Sequence, residues 1–198
     1  MSKGLKLTDI LVTVVISVVL AAIYHFWAAV YEVAKAPGLQ LEQLMYGMWF
    51  IASTVAFLLI RKPGVAFLAE AAAASGELLL GSPFGVEALT YGLVQGICAE
   101  LLFAATGYNR YSAVTAGLAG MAAGAGALVF DFFKGYMTEL QTWSLVLYIV
   151  FRFVGAFVIC GFVAAGLVKA LEATGVAQLV RPASRADYDA LNRKTTKM

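Results

Sequence analysis

Six apolar stretches, each about the length that crosses a bilayer, run through this chain at 8–31, 43–60, 63–81, 84–107, 111–133 and 142–171. Together they use most of its 198 residues and leave little more than loops and a tail. With 62% hydrophobic residues, 13% charged residues and a mean hydropathy of +0.84, an ordinary soluble globule and a disordered chain are both excluded. The expected fold is all-α: an integral membrane six-helix bundle over 1–171, followed by a short polar cytoplasmic tail over 172–198.

Local signals fit these spans. Pro63 suits the first turn of a helix, where its missing N–H costs nothing. Gly81-Ser82-Pro83 and Gly107-Tyr108-Asn109 supply breaks on either side of the fourth span. The third span is the weak one, because Glu70 and Glu77 sit within its run of alanines. Met1 to Lys6 resembles the charged start of a signal peptide, but the apolar run from Ile10 to Tyr31 is too long for a cleaved one, so a retained first helix is expected. Placing the N-terminus inside puts eleven Lys and Arg on the cytoplasmic side (Lys3, Lys6, Arg61, Lys62, Arg110, Lys169, Arg181, Arg185, Arg193, Lys194 and Lys197). Only Lys35 and Lys134 then lie outside, and Arg152 lies within a span. That asymmetry sets both termini in the cytoplasm.

Charges inside the spans need a reason. Glu70, Glu77, Glu100 and Asp131 fall within or near the ends of spans, with Glu87 at the start of the fourth. Each charge at the bilayer centre costs roughly 2.5–3.5 kcal/mol. Some of them should therefore face an internal polar cavity. Glu77 and Asp131 fall near the outer ends of their helices, whereas Glu70 and Glu100 lie deeper. Glu70 and Glu77, seven residues apart, share one helix face. Arg152 is expected to hold Glu70 or Glu100 as an ion pair.

Aromatic residues gather at the same outer level: Tyr46, Trp49, Tyr91 and Tyr148, with Gln95 one turn deeper than Tyr91. Tyr31, Tyr136 and Trp143 read as an interfacial belt, and Tyr46 and Trp49 fit either a belt or a pocket. Together these residues describe an outward-facing, net negative pocket with aromatic walls. It suits a flat, cationic small molecule, through ion pairing, stacking and cation–π attraction.

Other chemistries find little support. His25 is the one histidine, Cys98 and Cys160 are far apart within apolar runs, and there is no phosphate-binding GxxxxGK[ST]. The net charge of +2 gives no sign of nucleic-acid binding. No metal site, cofactor or enzyme activity is expected. Small residues repeat every four positions at Thr13, Ser17 and Ala21 and at Ala116, Gly120 and Gly124, which lets helices approach closely. The first of these faces serves an internal or an external partner, and the second reads as internal packing. A self-contained cation channel or facilitator is the rival reading, and a purely structural membrane subunit a third. A continuous pore needs polar groups at every depth, yet the middles of the first two spans offer only Ser17, Ser53 and Thr54.

Two blocks carry a family resemblance. The first is Arg61-Lys62-Pro63-Gly64-Val65-Ala66 with Ala69-Glu70 and Glu77-Leu78-Leu79-Leu80-Gly81-Ser82-Pro83-Phe84-Gly85. The second is Gln95-Gly96-Ile97-Cys98-Ala99-Glu100-Leu101-Leu102-Phe103. Both resemble the YkoE-type substrate-binding (S) components of energy-coupling-factor vitamin importers, and the length and six-span layout agree over nearly the whole chain. The resemblance implies a multi-pass protein of the bacterial plasma membrane that captures thiamine or its hydroxymethylpyrimidine precursor from outside. It implies as partners a transmembrane coupling protein and cytoplasmic ATPase subunits. On that reading Glu77, Glu70, Glu100 and Gln95 meet the aminopyrimidine and the cation. Trp49, Tyr46 and Tyr91 stack on the rings, Asp131 serves the rim, and the first and fifth interhelical loops cover the pocket. Related components often dock the coupling protein through Ala-x-x-x-Ala on the first helix. The nearest match in this chain is Ser17-x-x-x-Ala21, so those two residues are the expected docking positions.

Overall fold

A computed structural model describes residues 4–181. Lys3, Arg185, Arg193, Lys194 and Lys197 of the charge asymmetry, and most of the expected tail, lie outside the described residues. Among those described there is no strand. The chain runs through α1 (Leu7–Lys35), a 3₁₀ segment (Leu41–Phe50) continuous with α2 (Ile51–Ile60), α3 (Val65–Leu79), α4 (Val86–Ala105) and α5 (Ala113–Phe133). It continues through α6 (Thr142–Phe157), a π-helical segment (Val158–Val163) leading into α7 (Ala164–Ala173), and a short α8 (Ala177–Val180).

Among the described residues, five helical stretches are long and apolar enough to cross a membrane: Leu7–Lys35, Leu41–Ile60, Val86–Ala105, Ala113–Phe133 and Thr142–Ala173. The expected third span is shorter than its apolar run. α3 holds 15 residues, about 22 Å at 1.5 Å per residue, against a hydrocarbon core of about 30 Å. It packs against α1, α2 and α4, and both of its glutamates are buried. All ten residues of α2 are buried, as befits a helix that is apolar on every side.

The remaining helices sort their faces as lipid demands. On α1, Val15, Val18 and Val19 are exposed, while Thr13, Ser17, Ala21 and Tyr24 are buried. Small and polar residues make the helix contacts, and branched apolar ones meet the acyl chains. The Ser17 hydroxyl donates to the Ala69 carbonyl at 2.9 Å, and a Cβ on Gly76 of α3 would lie 2.7 Å from that of Ala21. The expectation that Ser17 and Ala21 dock a partner is therefore corrected: this face is consumed inside the chain by α3. On α5, a Cβ on Gly120 would lie 2.4 Å from the Cys160 Cβ, so the second small-residue face is internal as expected.

Polar side chains tie the turns at one end of the bundle. Lys62 pairs with buried Asp9 of α1 at 2.5 Å, and Arg181 donates to the carbonyls of Leu58 and Leu59 at the end of α2. Both described chain ends and the α2–α3 turn thus lie together. The opposite end holds the cavity.

Candidate substrate-binding site

A cavity of about 540 Å³ opens at that opposite end, within the range of small-molecule sites. The end of α1 contributes Tyr31 and Lys35, α3 Ala74 and Glu77, α4 Glu87, Tyr91 and Gln95, α5 Asp131, and α6 Tyr148 and Arg152. The loops on either side of it supply Gly38, Gln40, Phe84, Tyr136 and Leu140, so the first and fifth interhelical loops both reach it.

One wall follows from the 3₁₀ segment. With three residues per turn, positions three apart eclipse one another. Gln43, Tyr46 and Trp49 therefore form a single row, and all three line the cavity. Trp49 stands edge-on to Tyr31 and to Phe84, with ring centres 4.9 and 5.6 Å away. An α-helix would fan the same three side chains across about 120°.

Polar groups fall into two sets. At the Trp49 end, Glu77 Oε1 accepts from the Trp49 indole at 3.3 Å and from the Ser82 hydroxyl at 3.0 Å. Gln95, buried on α4, turns an amide nitrogen that finds no partner among the described residues. At the other end Asp131 accepts from Tyr91 at 2.5 Å, from Tyr148 at 2.8 Å and from the Arg152 guanidinium. Arg152 also donates twice to Gln43 Oε1, at 2.8 and 2.6 Å, and lies 3.7 Å over the Tyr46 ring. At the rim Glu87 accepts from Lys134 at 2.7 Å and from Tyr136 at 3.0 Å, and these hydrogen bonds hold the Lys134 ammonium and the Tyr136 phenol above their usual pKa values. Among the described residues, four carboxylates and two cations line the cavity.

Of the residues expected from sequence, Glu77, Gln95, Trp49, Tyr46, Tyr91 and Asp131 come together here. Glu70 and Glu100 do not. Glu70 lies beneath, fully buried, accepting the Ser53 N–H at 3.2 Å and facing the Tyr24 hydroxyl at 3.4 Å. Glu100, nine residues beyond Tyr91 on α4, sits about 13 Å further along the helix. It accepts the N–H groups of Gly64 and Phe67 at 2.6 and 3.1 Å, capping α3. The expected pairing of Arg152 with Glu70 or Glu100 is corrected to Asp131. A long guanidinium stem reaches toward the polar end of its helix, and Tyr148, one turn earlier on the same face, guides it to the same carboxylate. Sequence reasoning missed two lining residues, Glu42 and Gln43. The signal for Gln43 is Gln40, Gln43, Tyr46 and Trp49 at intervals of three, a 3₁₀ rather than an α period; Glu42 lies outside that row and has no such signal.

A model of the family described as "ABC-type cobalt transport system, permease component" matches residues 8–126. The "Putative HMP/thiamine permease protein YkoE" of Bacillus subtilis (strain 168) is 34% identical over 175 residues, 88% of each chain. A crystal structure of an S-component of an ECF transporter superposes with a TM-score of 0.85 and 31% identity, covering 98% of both chains. The chain belongs to the S-component family of energy-coupling-factor transporters. It is thus a transporter component, with several apolar helices that make it a multi-pass protein of the bacterial plasma membrane. Its cavity lies among the ends of α3, α4 and α5 that point away from the α2–α3 turn.

Proposed function

We propose that this S-component captures thiamine or its hydroxymethylpyrimidine precursor from outside the cell. In this reading α3 is the sixth membrane segment, residues 1–171 form the membrane domain, and both termini face the cytoplasm. A transmembrane coupling protein and cytoplasmic ATPases supply the energy, and the chain needs no cofactor. The Lys and Arg asymmetry supports the orientation. The permease name of the Bacillus relative supports the cargo.

One observation carries the reading. Beside the rings of Trp49, Tyr46 and Phe84, Glu77 keeps an oxygen, Oε2, that accepts no hydrogen bond among the described residues, and Gln95 keeps an unused donor. An aminopyrimidine is flat and offers the complement: an amino N–H to give and a ring nitrogen to receive. Cobalt, named in the family description, is less well served. Among the described residues no group of three or more His, Cys, Asp or Glu is placed to hold a metal ion. A pore is disfavoured too, because the Ser53 and Thr54 hydroxyls turn back onto the carbonyls of Phe50 and Ile51 and leave α2 dry.

Calorimetric titration of the detergent-solubilised protein tests this. Thiamine should bind one-to-one, and Glu77→Gln should weaken it at least tenfold without loss of folding. A folded parent that binds neither thiamine, its phosphates nor hydroxymethylpyrimidine overturns the proposal. Flux through liposomes holding the protein alone would then test the channel reading.

A further inference from the structure

The cavity's charges can be accounted for one at a time. Asp131 is matched by Arg152 and two tyrosine hydroxyls. Glu87 is matched by Lys134, and Lys35 is held by Glu32 at 2.6 Å. Two lining carboxylates then remain without a cation among the described residues. One is Glu77. The other is Glu42, 5% exposed, whose Oε1 accepts from Gln43 Nε2 at 3.0 Å and whose other oxygen accepts nothing among the described residues. A buried carboxylate facing a cavity with a free oxygen and no partner cation is costly unless something fills the site.

The two acids sit at opposite ends of the 3₁₀ row. Glu77 is bonded by Trp49, and Glu42 by Gln43. Those two row residues are six positions apart, about 12 Å at roughly 2.0 Å of rise per residue. We infer that Glu42 is a second ligand-reading carboxylate, and that the site therefore selects a two-ring, positively charged ligand over a single pyrimidine ring. This rests on the proposed thiamine-type cargo. The aminopyrimidine occupies the Glu77 and Gln95 end, and the cationic ring lies at Glu42, beside Tyr31, whose hydroxyl also accepts from Gln43 at 2.9 Å. The neighbouring cations are already matched: Arg152 lies across Gln43 and pairs with Asp131, and Lys35, 5.0 Å over the Tyr31 ring, is held by Glu32. A lone pyrimidine is too short to reach both acids.

The test compares three ligands on the intact protein by calorimetry: thiamine, hydroxymethylpyrimidine, and a neutral analogue in which thiophene replaces the thiazolium. Glu42→Gln should weaken thiamine at least tenfold and leave hydroxymethylpyrimidine within twofold, which also shows that the variant is folded. The neutral analogue should bind the parent about as weakly as thiamine binds Glu42→Gln, and should be indifferent to that substitution. Glu77→Gln should weaken all three. If Glu42→Gln binds thiamine like the parent, or loses hydroxymethylpyrimidine equally, the inference falls while the cargo stands. If Glu42→Gln does not fold, the parent decides: equal affinity for thiamine and its neutral analogue sinks the inference. A parent that binds none of the three removes the cargo reading and the inference together.

Discussion

Replacing Asp131 with Asn keeps its size and removes one charge from a pair in which Arg152 is 1% exposed. The guanidinium then keeps Gln43 Oε1, the Tyr148 hydroxyl and the face of Tyr46, but no anion. Breaking a buried pair from one side costs about 3–5 kcal/mol. The retained acceptors and ring put this case near the lower end, about 3 kcal/mol. For a chain of this length each kcal/mol moves the melting temperature by about 2–4 °C, so a fall of roughly 6–12 °C is expected. Thermal unfolding in detergent, followed by intrinsic tryptophan fluorescence, measures it. Arg152→Gln alone should also destabilise, because it strands Asp131 on two hydroxyls. The double variant should be more stable than the sum of the two losses by about 1 kcal/mol or more. Melting of Asp131→Asn within about 2 °C of the parent, or strict additivity in the double variant, would refute the reasoning.

Other substitutions separate the cavity from its supports. A Cβ on Gly155 would lie 2.1 Å from the Leu44 carbonyl oxygen, so Gly155→Ala must displace the 3₁₀ segment. We expect a loss of about 1–3 kcal/mol and a weaker thiamine titration, and unchanged affinity would show that the row does not shape the site. Glu100→Ala removes the cap of α3 and should cost about 0.5–2 kcal/mol in thermal unfolding while leaving thiamine affinity within about twofold. Tyr24→Phe leaves the buried Ala52 N–H without its acceptor, a loss of about 1–3 kcal/mol by the same assay. Ser17→Trp, at a fully buried position, should not yield folded protein, whereas Val18→Trp, 61% exposed, should match the parent in size-exclusion profile and melting.

How far the sequence could be read depended on the reach of the side chain involved. Spans are set by apolar length, so five of the six expected stretches reappear nearly at their boundaries. The sixth shortened to Val65–Leu79 because its flanks, Pro63-Gly64 and Leu80-Gly81, form turns rather than further helix. Glu77, Tyr91 and Gln95 line the cavity at the level the sequence predicts, because depth along a helix follows from counting residues. Glu100 was misplaced because depth alone does not say which neighbour a carboxylate faces. It faces backbone N–H groups at the start of α3, an acceptor's ordinary place at a helix N-terminus. Glu42 falls just before the expected span at 43–60, and nothing local to it reports that it is buried against Gln43 and lines the cavity.

The least legible feature is the one that makes the cavity wall. Ten residues of 3₁₀ helix far exceed the usual three or four, so local propensity does not hold Leu41–Phe50 in that form. Contacts from other helices do. Trp27 donates to the Met45 carbonyl at 3.1 Å, Arg152 and Tyr31 bind the Gln43 amide, and Gln40 donates to Ser144 at 3.0 Å. Gly155 lets α6 press against the Leu44 carbonyl. Beneath the segment, Ala52 and Ser53 at the start of α2 give their N–H groups to Tyr24 and Glu70. Rewinding the segment as an α-helix would shorten it by about 5 Å and fan out the row. Buried Glu70, absent from the cavity, thus contributes to the site by holding the junction at which the 3₁₀ row becomes α2.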